Sequence, residues 1–401
     1  MLQTMGRNQP GKRILSALAC ALVSLSALGI AAEGCNAILG NRELQFEPDA
    51  AAGDTGPNEV DGAHAGDGSP DATVTADAPA DAPSDAGCQK SVSSDPANCG
   101  ACGHSCLGGA CEGGACQPFA INVDASCPRL LLASAPPSLY WADNCAQQIV
   151  QCNHPPGCVP TIPMALASGQ VLGLAAPGGS VYWTDNGGGG GEVSYCNSTG
   201  CTPNPAVLAS MQVGANGIAV DGITVYWTLN SVTGGVVYDD IALGTQGTIP
   251  NRPVAQKIVA LGNWVAWIEL AGVFVCPLEM PCTSPTMLSS SFAFDIAAGG
   301  TGSLVWGDPA GLHTCKLPCS MGPAGLLYDA GSPRAVLADD MYAYWMDSAF
   351  GGSPGDLYRC PFAGCGPGGP ELVVRNAGPV FAIDPTAIYW STGATINMLA
   401  K

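Results

Sequence analysis

Beyond residue 119 the chain alternates short apolar runs with Gly- and Pro-rich breaks, and one kind of run returns at regular intervals. It ends in tryptophan, first as Ser138-Leu139-Tyr140-Trp141-Ala142-Asp143, then Ser180-Val181-Tyr182-Trp183-Thr184-Asp185, then Thr224-Val225-Tyr226-Trp227-Thr228. The run recurs at Trp267, Trp306 and Trp345 and closes with Ala387-Ile388-Tyr389-Trp390-Ser391-Thr392. Successive tryptophans are 42, 44, 40, 39, 39 and 45 residues apart, and seven of the 8 in the chain serve as anchors. A period near forty, with several β-rich runs per unit, predicts an all-β fold, a β-propeller of four-stranded antiparallel blades.

The second unit shows the strands most clearly: Val171 to Ala175, Ser180 to Thr184, Glu192 to Cys196 and Ala206 to Ala209, parted by Gly- and Pro-rich turns. The last unit runs out after a third strand, Thr395 to Ala400, whereas Phe119-Ala120-Ile121-Asn122-Val123 stands ahead of the first unit. That leading strand is expected to supply the missing fourth one and close the ring, which removes an exposed sheet edge.

Tyr-Trp followed by Thr or Ala and then Asp resembles the YWTD class of β-propeller, known from low-density-lipoprotein receptors and bacterial surface proteins. Val181-Tyr182-Trp183-Thr184-Asp185 matches the whole motif; the acidic position is kept at Asp143, Asp185, Asp308 and Asp347, becomes Glu269, and is lost at Leu229 and Thr392. The resemblance implies aromatic residues and aspartates that pack and hydrogen-bond between neighbouring blades. It also implies six blades, where the seven anchors here predict seven. Large apolar side chains with polar handles at a repeated internal position point to the same structural role unaided.

Four segments precede or make up this fold. Residues 1–35 carry a basic start (Arg7, Lys12, Arg13) and the apolar run Ile14 to Ala32, the pattern of an export signal. Gly34-Cys35 resembles a bacterial lipobox, in which the cysteine is lipidated; Asn36 after it, by analogy with enteric lipoproteins, implies the outer membrane. Cleavage within Gly29-Ile30-Ala31-Ala32, or an uncleaved anchor, is the alternative. Residues 36–87 are rich in Ala, Asp, Pro and Gly, with carboxylates from Asp49 to Asp85 and no Lys or Arg between Arg42 and Lys90. Too little apolar surface and mutual repulsion predict a disordered tether, and the Asp spacing fits no EF-hand-like calcium loop. Residues 88–118 form a small Cys/Gly module, and 119–401 the propeller.

The 20 cysteines fall into groups. Cys88, Cys99, Cys102, Cys106, Cys111 and Cys116 crowd the module; an exported chain meets an oxidising compartment, so three disulfides are expected, with a zinc site using Cys99, Cys102 and Cys106 or His104 as the alternative. Asn98-Cys99-Gly100-Ala101-Cys102-Gly103 resembles a module recurrent in surface lipoproteins of myxobacteria and their relatives. Within the blades, Cys152 with Cys158, Cys196 with Cys201, Cys276 with Cys282, Cys315 with Cys319 and Cys360 with Cys365 bracket turns after the Trp strand, where facing positions in a hairpin suit a disulfide. Cys127 and Cys145 remain to pair. With Cys20 lost in the signal and Cys35 lipidated, no free thiol is left.

A net charge of −19 with only 13 Lys and Arg excludes a nucleic-acid partner, which needs a basic patch. Of the four histidines, His64 lies in the tether and His104 in the module, while His154 and His313 read as exposed hairpin residues without a triad. No catalytic residue, cofactor or metal ligand is assigned. Asp185-Asn186 with Gly187 to Gly191 and Glu192 suggests a phosphate or calcium loop, but no helix follows it, so a flexible hairpin is the expectation. The reading is a monomeric, lipid-anchored cell-surface binding or scaffold protein whose propeller loops contact a protein or glycan. The alternative is a lactonase- or lyase-like propeller with a channel metal held by Asp221, Asp295, Asp339 and Asp384, which recur near inner-strand ends and equally suit a turn position.

Overall fold

The computed structural model describes residues 91–401 apart from 123–124, 135–137, 154–157, 159–161, 188, 198–200, 202–203, 279–281, 301, 320–324, 330 and 348–353. The export signal with Cys20, the lipobox-like Cys35, the tether with His64, Cys88 and His154 all lie outside the described residues. Among the described residues there is no α-helix, and no helix is long and apolar enough to cross a membrane.

The Trp runs form strands covered on both faces. Val181–Asp185 and Ser303–Asp308 are buried at every position, which is why they read as continuous apolar stretches rather than alternating ones. Outer strands such as Thr286–Ser289 and Gly325–Tyr328 are half exposed and carry no such signal. Seven four-stranded antiparallel sheets result, spanning 128–166, 171–210, 215–249, 258–289, 295–328 and 333–377 for blades 1 to 6. Blade 7 takes Phe381–Ile383, Ala387–Thr392 and Thr395–Ala400 from the end of the chain and Phe119–Asn122 from ahead of blade 1, with Phe119 opposite Met398 and Ala120 opposite Asn397. The first strand of each blade touches that of the next, and Phe381–Ile383 touches Pro128–Ser134, so the ring is closed. Gly173 and Gly217 permit this contact: a Cβ at either would strike the backbone of the next blade at Asn216 or Gln256.

Each interface between blades is built by the Tyr-Trp dipeptide. Adjacent residues of a strand face opposite sides of the sheet. The tryptophan therefore turns to the preceding blade and its neighbour to the following one. Tyr140 of blade 1 shares a buried cluster with Trp183 of blade 2, Tyr182 with Trp227, Tyr226 with Trp267 and Tyr344 with Trp390. Where the tyrosine is replaced, Ala266 meets Trp306 and Val305 meets Trp345. Tyr389 of blade 7 meets Trp141 of blade 1, so the closing interface repeats the others.

The two ends of the ring differ by topology. The upper end carries the turns between second and third strands and the connectors between blades. The lower end carries the turns between first and second strands and the loops between third and fourth. In those lower loops Cys152 is bonded to Cys158, Cys196 to Cys201, Cys276 to Cys282, Cys315 to Cys319 and Cys360 to Cys365. Each joins a third strand to the loop before the fourth rather than to the fourth strand itself. So short a loop contributes at most about 2 kcal/mol. Blade 3 has no cystine there: the Asp240 carboxylate accepts the amides of Ala242 and Leu243, and the turn holds itself. On the upper end Cys127 is bonded to Cys145.

The module folds around Cys99–Cys111 and Cys106–Cys116, with Cα separations of 5.6 and 5.2 Å, and Cys102 is also disulfide-bonded. The Cys99, Cys106 and Cys116 sulfurs lie within 4.8 Å of one another, a spacing that could suit a metal, but each is spent in a cystine. His104 is engaged as well, Nδ1 with the Cys99 carbonyl (2.5 Å) and Nε2 with the Lys401 carbonyl (2.6 Å), which ties the module to the lower end of blade 7.

Truncating an anchor should open an interface. Trp227→Ala is expected to cost about 3–5 kcal/mol in chemical denaturation, whereas Trp264→Ala, at a half-buried strand start, should cost clearly less.

Candidate binding face and channel mouth

The acidic position after each tryptophan ends the second strand at the upper end, and it binds locally rather than across blades. Asp185 accepts the Ser168 hydroxyl (2.7 Å), the Gly187 amide (2.9 Å) and the Trp183 indole N–H (3.2 Å), pinning the connector from blade 1 to the turn of blade 2. Asp143 does the same with Ser126 (2.6 Å) and the amides of Cys145 and Ala146. In blade 3, where Leu229 replaces the acid, Gln212 of the preceding connector accepts the Trp227 N–H at 2.9 Å. Bonds between blades come instead from the residue just after the tryptophan: the Thr184 hydroxyl donates to the Asn216 carbonyl and that of Thr228 to the Gln256 carbonyl. The indole N–H groups of Trp141 and Trp306 are buried without an acceptor. Asp347 is exposed.

Glu269 differs electrostatically. It accepts the Trp267 N–H at 2.6 Å, with the Arg252 Nε 3.7 Å away. Burial raises its pKa, against the lowering effects of Trp267 and Arg252.

The four inner aspartates divide between the two ends. Asp221, Asp339 and Asp384 belong to lower turns, and two of them serve as turn formers. Asp384 accepts the amides of Thr386 and Ala387 and the Tyr389 hydroxyl, the last at 2.8 Å. Asp339 accepts the amides of Met341 and Tyr342, the Tyr344 hydroxyl and the Lys401 ammonium, the last two at 2.8 Å. Burial would raise the Asp339 pKa, but these donors outweigh it and hold it low. Burial and the aspartate partners push Tyr344 and Tyr389 upward.

Asp295 lies at the upper end, where it begins the first strand of blade 5. It is buried, bonded to the Lys257 ammonium of blade 4 at 2.5 Å, to the Val336 amide of blade 6 at 2.8 Å and to the Ile296 amide. It thus joins three blades. Around it opens a cavity of about 300 Å³ at the channel mouth, lined by Lys257, Phe294, Arg334 and Phe381 among others. The Arg334 guanidinium stacks 4.0 Å above the Phe294 ring.

His313 departs from the sequence expectation. It is no exposed hairpin residue: it sits mid-strand opposite Trp306, stacked on that indole at 5.5 Å, with Nε2 3.0 Å from Asp308. The tight turn Asp308 to Gly311 places the acid beside a histidine five positions on, a spacing that could have revealed the pair.

The upper end exposes apolar side chains. Met211 (81% exposed) and Val213 (66%) project from the connector between blades 2 and 3, Val232 (86%) from the turn of blade 3 and Leu270 (60%) from that of blade 4. The connector and the blade 3 turn are joined by the Asn230 amide donating to the Gly214 carbonyl, so these two segments lie side by side. Among the described residues no Trp, Tyr or Phe is exposed.

The architecture and this face define a seven-bladed β-propeller. No protein-family model matches the chain, and no curated protein matches it. Solved structures do. Virginiamycin B lyase from Staphylococcus aureus, in a catalytically inactive form with quinupristin, aligns with a TM-score of 0.56 and 13% identity over 71% of this chain and 99% of that one. The U3-55K protein aligns with a TM-score of 0.53 and 12% identity over 71% and 98%. A chain of a nidogen/laminin complex aligns with a TM-score of 0.43 and 16% identity over 56% and 89%. At such identities the likeness to the first two establishes the propeller fold alone.

Because the folded-state pKa of Glu269 lies above its unfolded value, ionising it costs stability at neutral pH, and the cost disappears as pH falls below the unfolded value. Glu269→Gln, which keeps an acceptor for Trp267, should therefore raise the thermal midpoint at pH 7. The gain should vanish below pH 4.5, the ordinary value for the carboxyl. A lower midpoint at pH 7 would mean that the Arg252 attraction outweighs desolvation.

Proposed function

We propose that the protein is a non-catalytic binding protein that engages another protein through the upper face of its propeller. The carrying observation is the hydrogen-bonded pair of upper segments that presents Met211, Val213 and Val232, the two most exposed large apolar side chains of the described residues among them, with Leu270 exposed on the turn of the next blade. Contiguous exposed apolar surface marks interaction sites.

The chain enters the propeller at the lower rim, where Phe119 begins the outermost strand of blade 7. A lipid on Cys35 would hold the protein to the outer membrane or cell surface, with the propeller joined to it through residues 36–118. The density of cystines agrees with an oxidising, extracellular setting.

The interaction is tested by retention of cell-envelope proteins on the immobilised protein. Val232→Asp with Leu270→Asp should reduce specific retention at least about tenfold, as expected when a charge is forced into an apolar interface. Met287→Asp with Leu326→Asp, on outer strands of blades 4 and 5, should not. Protease treatment of the extract should abolish retention; loss on periodate oxidation instead would favour the glycan. The anchor is tested separately: cells expressing the protein should incorporate labelled palmitate into it, and Cys35→Ser should remove both label and membrane fractionation.

A further inference from the structure

A second cavity lies on the outer wall between blades 1 and 2, below the upper end, and one position of the repeat accounts for it. The third-strand residue opposite each anchor tryptophan shares the sheet face that the indole turns to the preceding blade. Elsewhere that residue is Val150, Val237, Phe274, His313, Tyr358 or Asn397, and the rings of Phe274, His313 and Tyr358 stack on their indoles. In blade 2 it is Ser194, opposite Trp183 and smaller than any of these. A cavity of about 210 Å³ opens there, with Leu166 and Ser168 on one wall and Trp183, Glu192, Ser194 and Val207 on the other. Leu166 (69% exposed) and Val207 (53%) give its mouth apolar lips. Ser194 is 3% exposed, lines the cavity, and its hydroxyl has no hydrogen-bond partner among the described residues. Glu192 stands two residues before it on the same strand face, about 7 Å away along the strand. The Glu192 carboxylate meets the Ser168 hydroxyl at 3.1 Å and no Lys, Arg or His among the described residues. That hydroxyl also lies 2.7 Å from the buried Asp185 carboxylate, and its single proton can serve only one of the two. Two carboxylates therefore share one hydroxyl proton, with no cation between them.

We infer that this cleft binds a small organic monocation, a primary ammonium carried on an apolar body. An ammonium brings three N–H donors, and the cleft offers the Glu192 carboxylate, the Ser194 hydroxyl and the Ser168 oxygen to accept them. The body would lie between Leu166 and Val207. A volume of about 210 Å³ falls below the usual small-molecule range, which begins near about 300 Å³, so the space suits a single ring. A ring is also what Phe274, His313 and Tyr358 place at this position of their own blades. The net charge of −19 adds long-range attraction for cations. The inference goes beyond the protein-binding reading and does not depend on it, since the apolar tips and the cleft use different residues.

The test is calorimetric titration of the full-length protein at pH 7 with 2-phenylethylamine and, in parallel, with the neutral analogue 2-phenylethanol. The amine should bind saturably in the millimolar range or tighter, more weakly as salt is raised, and at least about tenfold better than the alcohol. Glu192→Gln, which keeps an acceptor for Ser168, should weaken amine binding by about tenfold or more. Asp347→Asn, which removes an exposed carboxylate in blade 6, should leave it unchanged. Ser194→Val, the residue that blades 1 and 3 carry at this position, should fill the cleft and abolish binding without lowering the thermal midpoint. Equal binding of amine and alcohol, no saturable binding of the amine, equal losses in Glu192→Gln and Asp347→Asn, or a folded Ser194→Val variant that binds like the parent would each overturn the inference. Should Ser194→Val fail to fold, the two carboxylate variants and the alcohol comparison decide. Because Val232→Asp with Leu270→Asp leaves the cleft untouched, loss of partner retention without loss of the amine separates the two readings.

Discussion

Everything in this molecule hangs on one dipeptide placed at the same point of a strand. A Tyr-Trp pair in extended conformation necessarily sends its two rings to opposite faces of the sheet. A blade so marked has a large apolar group for each neighbour, and a chain of such blades has no stable end until the last meets the first. That is why the seventh interface, Tyr389 with Trp141, repeats the Tyr–Trp chemistry of four of the other six. It is also why the fourth strand of blade 7 comes from residues 119–122: without it the closing interface would leave the third strand as an open edge. Where the tyrosine gives way to Ala266 or Val305, the tryptophan of the following blade still fills the gap, so the larger ring is the essential member.

Once the dipeptide fixes the direction of the second strand, the two ends of the ring inherit different tasks. The lower end receives the five loop cystines, the Asp339 and Asp384 turns and the module bound through His104. These are devices that shorten or lock loops. The upper end is held from beneath by buried acids such as Asp143 and Asp185, which secure connectors by hydrogen bonds and leave the tips free to vary. A face whose loops are anchored at their bases can present residues such as Val232 without a structural use for them.

How much of this could be read from the chain follows from burial. The second strands are covered on both faces, so selection for apolar residues there is dense and the Trp period stands out. The fourth strands are half exposed and their composition says little, yet blade 2 and the leading strand at Phe119 were still legible from the breaks around them. The pairing of Asp308 with His313 comes from hairpin register rather than adjacency, and only the five-residue spacing across a tight turn signals it. The least legible feature was Asp295. Its partners Lys257 and Val336 lie 38 residues before it and 41 after it, in two other blades, and only the closed ring assembles them.

Asp295 also shows why a repeated carboxylate need not be a metal ligand. A channel metal in a propeller requires acceptors with open lone pairs that converge from several blades. Asp295 has its oxygens occupied by an ammonium and two amides, and Asp384 has its oxygens occupied by two amides, a tyrosine and the Thr386 hydroxyl. Each is satisfied by protein donors, and a cation arriving at Asp295 would first have to displace Lys257.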